Sequence, residues 1–297
     1  QAQAYPELRY GDGVGIVGSL ADVNPASRQY FKKEGISAVL KFPKQLEIRE
    51  RDQGVLIKRW LFAVRTSVQN QIKKMLSPES AGLLDGLLLG KSGGFSKELS
   101  AKLEATGTTH LVALSGYNIS VIGKYLFSIL AFVYLPRRFS FYVVIGALCA
   151  FVFMTGAESS VVRAALMASI MYLAEHTGRL FSVQQAIAVA AMVMVLLNPY
   201  VLVFDLGFQL SFLALFGIVY LKPALEFLFR FSPQPGVLEW KKNLLTTIAA
   251  QLAVLPLLLS TFEFFPLFSI ITHVLLLTFI PFTMGLGFLA VLASYLS

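Results

Sequence analysis

The chain has 297 residues, of which 56% are hydrophobic and 14% charged, with a formal net charge of +8. Soluble domains carry roughly 45–50% apolar and about 25% charged residues, so this composition excludes a water-soluble globule. A single cysteine, Cys149, excludes an internal disulfide framework.

Polarity is unevenly placed. Residues 1–110 hold 16 Lys/Arg and 11 Asp/Glu, whereas residues 111–297 hold 9 and 6. A polar N-terminal part therefore leads into a membrane part. A basic balance suits an anionic partner, anionic lipid or cytoplasmic loops alike. The chain starts on Gln1 with no signal pattern and stops at Ser297 inside an apolar run, as expected of a segment cut from a longer protein.

In chain order, residues 1–55 hold two short β-prone runs, Val14–Gly18 and Ile36–Phe42. Asp22–Pro25 and a polar helical candidate around Ser27–Glu34 separate them. The runs predict a small β-rich remnant, with more of its domain expected upstream. Residues 56–110 read as helical. Ile57, Trp60, Leu61, Val64, Val68, Ile72 and Met75 recur at helical spacing, with Lys58, Arg59, Arg65, Lys73 and Lys74 on the other face. Such a basic amphipathic helix either lies at the membrane interface or packs on the rest of the protein; both readings stay open. Shorter helices are expected at Pro78–Leu89 and Ser96–Ala105, the second capped by Ser96.

Residues 111–297 read as the transmembrane part. At about 20 apolar residues per crossing, the spans are Ile119–Leu135, Phe139–Thr155, Val161–Glu175, Val183–Leu197, Gln209–Leu221, Leu244–Ser260 and Pro266–Met284. Gly285–Ser297 either begins an eighth or lies along the surface. The expected fold is an α-helical polytopic membrane protein with about seven transmembrane helices. A small β-rich extracytoplasmic remnant and amphipathic helices precede them. Arg137, Arg138, Arg179, Lys222, Arg230, Lys241 and Lys242 fall in alternate loops, and Glu158, Asp205 and Glu263 mark the others. The positive-inside rule then places the basic loops in the cytoplasm and the N-terminal region outside.

Polar groups within apolar spans are costly unless they face a cavity or a partner. Asn118 and Lys124, Arg163, Asp205 and Gln209, and Gln251 stand in that position. They either line a path or only fix the bundle, through interhelical bonds and a pair of the Arg163–Asp205 type. Gly86–Ser92 has one residue too few between its glycines for a phosphate loop and no preceding strand. His110 with Ser115 invites a membrane serine hydrolase, although small polar residues also cap helices. Asp85 and Glu104 stand as lone carboxylates, and His110, His176 and His273 are spread too widely for a metal site.

The segments Leu83–Gly90, Phe95–Leu99 and Thr106–Ser120, the last reading TGTTHLVALSGYNIS, are followed by Gly156–Met167 and Asn198–Leu213. In this order they resemble the competence-domain signature of the ComEC family of DNA-uptake proteins. Gly11–Phe42 resembles the end of that family's extracytoplasmic OB-like domain. Two positions depart from the pattern. Ser115-Gly116-Tyr117-Asn118 stands where the family commonly has SGLH, so a role of that histidine does not pass to Asn118; His273 stands where Asn is common. The metallo-β-lactamase-like domain of larger members, with its metal site, has no counterpart in this chain.

The resemblance implies a channel, not an enzyme, that conducts single-stranded DNA across the cytoplasmic membrane of a bacterium during natural transformation. Other competence proteins would supply DNA and energy, and the number of subunits stays open. No catalytic residue, cofactor or metal is expected. Thr109, His110, Ser115, Asn118, Lys124, Arg163, Asp205, Gln209 and Gln251 are the candidates for the DNA pathway or the polar bundle interior. The rival functions are a secondary transporter of a small solute, with helices broken near Pro199, Pro256, Pro266 and Pro281, and the Ser115–His110 hydrolase.

Overall fold

The computed structural model describes residues 8, 10–22, 31, 35–40, 45–51, 53–90, 95–105, 115–229, 240–262 and 269–296. The N-terminal part forms two small antiparallel pairs. Strand β1 (Gly13–Val17) pairs with β4 (Gln45–Glu50), and β2 (Leu20–Asp22) pairs with β3 (Ala38–Leu40). The sequence reading misses β4, although Leu46 and Ile48 alternate with Glu47 and Arg49 at the period of a strand. The helix expected at Ser27–Glu34 falls almost wholly outside the described residues.

Helices follow. Helix α1 (Leu56–Met75), α2 (Pro78–Leu89) and α3 (Lys97–Ala105) match the three predicted before the membrane part. Ser96 caps α3 as expected, its hydroxyl oxygen accepting the Leu99 N–H at 3.1 Å. Next come α4 (Gly116–Phe132), α5 (Arg137–Thr155), α6 (Ser159–Thr177), α7 (Val183–Leu197) and the short α8 (Val201–Phe204). Helix α9 (Leu206–Phe216) runs through a π-helical turn, Gly217–Leu221, into α10 (Lys222–Leu228). Helices α11 (Trp240–Phe262) and α12 (Ser269–Ser294) complete the chain. Gly156 and Gly178 end α5 and α6 in the left-handed conformation, where a Cβ would be strained.

Among the described residues, three helical stretches are long and apolar enough to cross a membrane: Arg138–Thr155, Leu206–Leu228 and Leu244–Thr261. Val183–Leu197 and Phe279–Ser294 are shorter apolar helices. Helices α4 and α6, which carry Lys124 and Arg163, lie outside that set. This is a helical membrane protein preceded by a small β region.

Helix α1 is docked on the bundle. It packs on α2, α5 and α12, and Ile72 is fully buried against Ala81, Leu84 and Val291. Arg65, assigned above to the polar face, is buried instead. Its Nη1 donates to the Met154 carbonyl at 2.9 Å and its Nη2 to the Leu89 carbonyl at 3.2 Å. Both are C-terminal carbonyls, of α5 and α2, which have no partner inside their own helices. Leu56, Ile57 and Trp60 remain exposed at the start of α1, so its apolar residues do not all serve the packing. Asp85 is not alone either: Gln69 Nε2 donates to its two oxygens at 3.1 and 2.9 Å. Burial raises the Asp85 pKa above the ordinary carboxylate value, against the Gln69 bond and the nearby Arg65 and Lys73.

The two ends of the membrane part meet at this cap. Asn118, in the first turn of α4, donates to the Leu87 carbonyl of α2. At the far end Tyr295, just beyond α12, shares a 2.7 Å hydrogen bond with Ser67 of α1. Seven strict crossings would leave these ends on opposite sides. The two contacts hold the start of α4 and the end of α12 at the same cap. Gly285, the expected start of a further segment, lies inside α12.

Two outcomes follow. Cysteines at Lys58 and Leu296, each in a Cys149→Ser background, should be labelled by an impermeant thiol reagent from the same side of the membrane; labelling from opposite sides restores seven crossings. The raised Asp85 pKa means that the folded state binds that proton more tightly than the unfolded state. Stability therefore rises as pH falls through the raised value toward 3.8. Asp85→Asn should flatten that rise in thermal unfolding.

Candidate membrane pathway

Five helices touch in a closed cycle: α4 on α6, α6 on α9, α9 on α11, α11 on α12, and α12 on α4. Helix α5 flanks the cycle against α4 and α6, and α7 flanks it against α6 and α9. On the α9–α11 side, backbones approach as only glycine permits. A Cβ on Gly217 would stand 2.4 Å from the Ala249 carbonyl oxygen and 2.6 Å from the Ala253 Cβ. On the α4–α6 side, Gly123 faces the Tyr172 hydroxyl and Phe127 stacks on the Tyr172 ring at 5.8 Å.

The predicted polar residues divide by what they bond. Ser115 caps α4: its oxygen accepts the Asn118 N–H at 3.5 Å and its hydroxyl donates to Asn118 Oδ1 at 3.2 Å. Asn118 is completely buried. Asp205 caps α9 by accepting the Phe208 N–H at 3.1 Å, and it also accepts the Ser159 hydroxyl. Gln209 donates to the Leu202 and Val203 carbonyls at 2.9 and 3.1 Å, bridging the break between α8 and α9. All four satisfy backbone groups at helix ends, which no water reaches inside a bilayer. Among the described residues the Ser115 hydroxyl faces a neutral amide oxygen, which is not a general base. Thr109 and His110 lie outside the described residues. Gln251 is half-buried on α11 with partners of its own.

Two cations are left. Arg163, in the second turn of α6, is 8% exposed. Its guanidinium carbon lies 5.7 Å from the centre of the Phe212 ring of α9. Its Nη2 lies 3.3 Å from where a Cβ on Gly116 of α4 would stand. Its Nη1 is buried with no hydrogen-bond partner among the described residues. The expected Arg163–Asp205 pair gives way to Ser159–Asp205 and Arg163–Phe212 contacts. A buried guanidinium nitrogen without an acceptor is a position for an anion or water. Lys124 is exposed. It stands eight residues from each end of α4, about 12 Å at 1.5 Å per residue.

Beside the cycle, α7, α9 and α11 enclose a groove of about 650 Å³ lined by Ile187, Ala191, Phe208, Phe212, Phe216 and Leu257, with Gln184 and Gln209 as its amides. No sequence pattern announces it, because its walls come from three separate helices. Its apolar lining offers a polyanion no counter-charge. Among the described residues no group of three or more His, Cys, Asp or Glu stands together to hold a metal ion.

The family described as competence protein matches residues 87–297, from the end of α2 through the whole helical cycle. The chain belongs to the competence protein family. It is similar to ComE operon protein 3 of Bacillus subtilis (strain 168), 28% identical over 222 residues, which cover 75% of this chain and 27% of that protein. The chain thus spans about a quarter of that relative's length. No solved structure matches it.

If the α9–α11 contact holds the cycle of this competence protein together, Gly217→Ala should destabilise it by about 1–3 kcal/mol, the usual cost of overpacking. Thermal unfolding in detergent measures this, with Gly146→Ala, where a Cβ meets nothing within 4 Å, as the control.

Proposed function

We propose that this chain is the membrane core of a channel that passes single-stranded DNA across the cytoplasmic membrane of a bacterium during natural transformation. Family membership supports the process, and the observation that carries the chemistry is Arg163, a buried cation whose Nη1 has no partner among the described residues. A strand of DNA brings a phosphate for each nucleotide, and cations without internal counter-ions are what a passing phosphate needs. The core acts as a conduit and not as a catalyst.

In this reading residues 1–55 are the end of an extracytoplasmic OB-like domain, residues 56–110 cap the outer surface, and residues 111–297 form the conduit. Helices α4, α5, α6 and α7, the continuous Leu206–Leu228 helix and α11 cross the membrane, and α12 closes the cycle. The helix ends and loop with Arg138, Lys222 and Arg179 face the cytoplasm, which agrees with the positive-inside rule, and the cap of α1 and α2 faces outward. Other competence proteins deliver DNA and supply the energy. Arg163 and Lys124 face the strand. Ser115, Asn118, Asp205 and Gln209 hold the helix ends that frame it.

Arg163→Ala should lower transformation by about tenfold or more, as loss of a buried charge contact does, with normal amounts of protein in the membrane. Arg163→Lys should restore part of it. Unchanged transformation in a folded Arg163→Ala variant would sink the proposal.

A further inference from the structure

Lys124 belongs to a row. Gly116, Ser120, Lys124 and Ser128 recur every fourth residue, which stacks them along one face of α4. Ser120, Lys124 and Ser128 are exposed. On one flank of this row, Ile119, Gly123 and Phe127 pack toward α5 and α6. On the other, Val121 packs with Ile280 and Met284, and the Tyr125 hydroxyl donates to the Pro281 carbonyl at 3.1 Å, both toward α12. The row thus lies between α6 and α12, the two neighbours of α4 in the helical cycle.

The chemistry of the row suits water. Ser120 donates to the Gly116 carbonyl at 3.0 Å and Ser128 to the Lys124 carbonyl at 2.9 Å. Their protons are spent on the helix, and their oxygens remain as acceptors along the exposed face. A second, independent feature stands at the head of the row. Arg163, whose buried Nη1 has no hydrogen-bond partner among the described residues, brings its Nη2 to 3.3 Å from where a Cβ on Gly116 would stand, one turn before Ser120. A cation at the head and another two turns further on give an anionic chain successive contacts about 12 Å apart along the axis.

We propose that the Ser120–Lys124–Ser128 face of α4 lines the water-filled part of the pathway, with Lys124 as the phosphate contact midway across the bilayer. The identity of the anion rests on the DNA-channel reading; the hydration of the face does not. An ammonium at that depth requires water or a partner, since lipid offers neither. The neutral hydroxyls above and below it provide no counter-charge, so they suit a moving polyanion better than a fixed ion pair.

The test is a cysteine scan of α4 in cells making the full-length protein with Cys149→Ser. Ser120→Cys, Lys124→Cys and Ser128→Cys should react with a charged thiol reagent about tenfold or more faster than Ile129→Cys, which is exposed on an apolar face. Added single-stranded oligonucleotide should slow those reactions, and uncharged peptide nucleic acid should not. Equal, slow reaction at all four positions overturns the hydrated face and leaves the DNA reading to the Arg163 variants. Fast reaction without protection by the oligonucleotide overturns the phosphate contact. Disulfides between copies at the three row positions would assign the face to a subunit interface and also overturn the proposal. Where Lys124→Cys lowers the protein level, Lys124→Arg and Lys124→Gln decide: the first should keep transformation and the second should lower it severalfold.

Discussion

A polar group inside a bilayer has no water to fall back on, and this constraint organises the whole molecule. A charged side chain at the centre of a membrane helix costs about 2.5–3.5 kcal/mol on insertion scales, and an unpaired backbone group is comparably unfavourable. Ser115, Asp205 and Gln209 answer it by bonding helix ends. Glycines at the ends of α5 and α6 answer it with left-handed caps. Arg163 and Lys124 do not answer it from within the described chain. They are therefore the residues on which the proposed pathway rests.

Arg65 extends the same logic to the surface. One guanidinium bonds the last carbonyls of two helices, α5 and α2, and so fixes the cap of α1 and α2 on the bundle. The fork of donors on arginine makes this bridge possible; a lysine ammonium would reach one carbonyl well and the other poorly. Asn118 and Tyr295 fasten α4 and the end of α12 to the same cap. A single layer thereby sets the entrance of α4, the exit of α5 and the end of α12 relative to one another. The proposed path begins beneath that layer, at Gly116 and Arg163.

Much of the helical content was legible in the sequence, for local reasons. Apolar runs longer than a turn or two have few alternatives in a membrane, so the α5, α7 and α11 segments fall within a few residues of their predicted bounds. Ser96 was readable as a cap because capping needs only a hydroxyl and the next three residues. β4 was missed because its alternation covers six residues rich in charge, where polar composition hid the period. Arg65 was misplaced for the opposite reason. The helical wheel put it among the lysines, and no rule within α1 reveals that the carbonyls of Met154 and Leu89 await it.

The candidate pathway shows the same division more sharply. By itself the sequence determined that Lys124, Arg163, Asp205, Gln209 and Asn118 sit in apolar surroundings, because that follows from composition along the chain. It also carried the motifs that place the chain among competence proteins. Only the tertiary structure decided which of these residues are already satisfied and which are not. Bonds such as Asn118 to Leu87 and Ser159 to Asp205 join residues 31 and 46 positions apart, and no local pattern encodes such partners. The end of α12 was likewise out of reach of local pattern: hydropathy marks α12 as apolar, but the Ser67–Tyr295 bond joins residues 228 positions apart, because packing and not hydropathy sets what a helix end rests on.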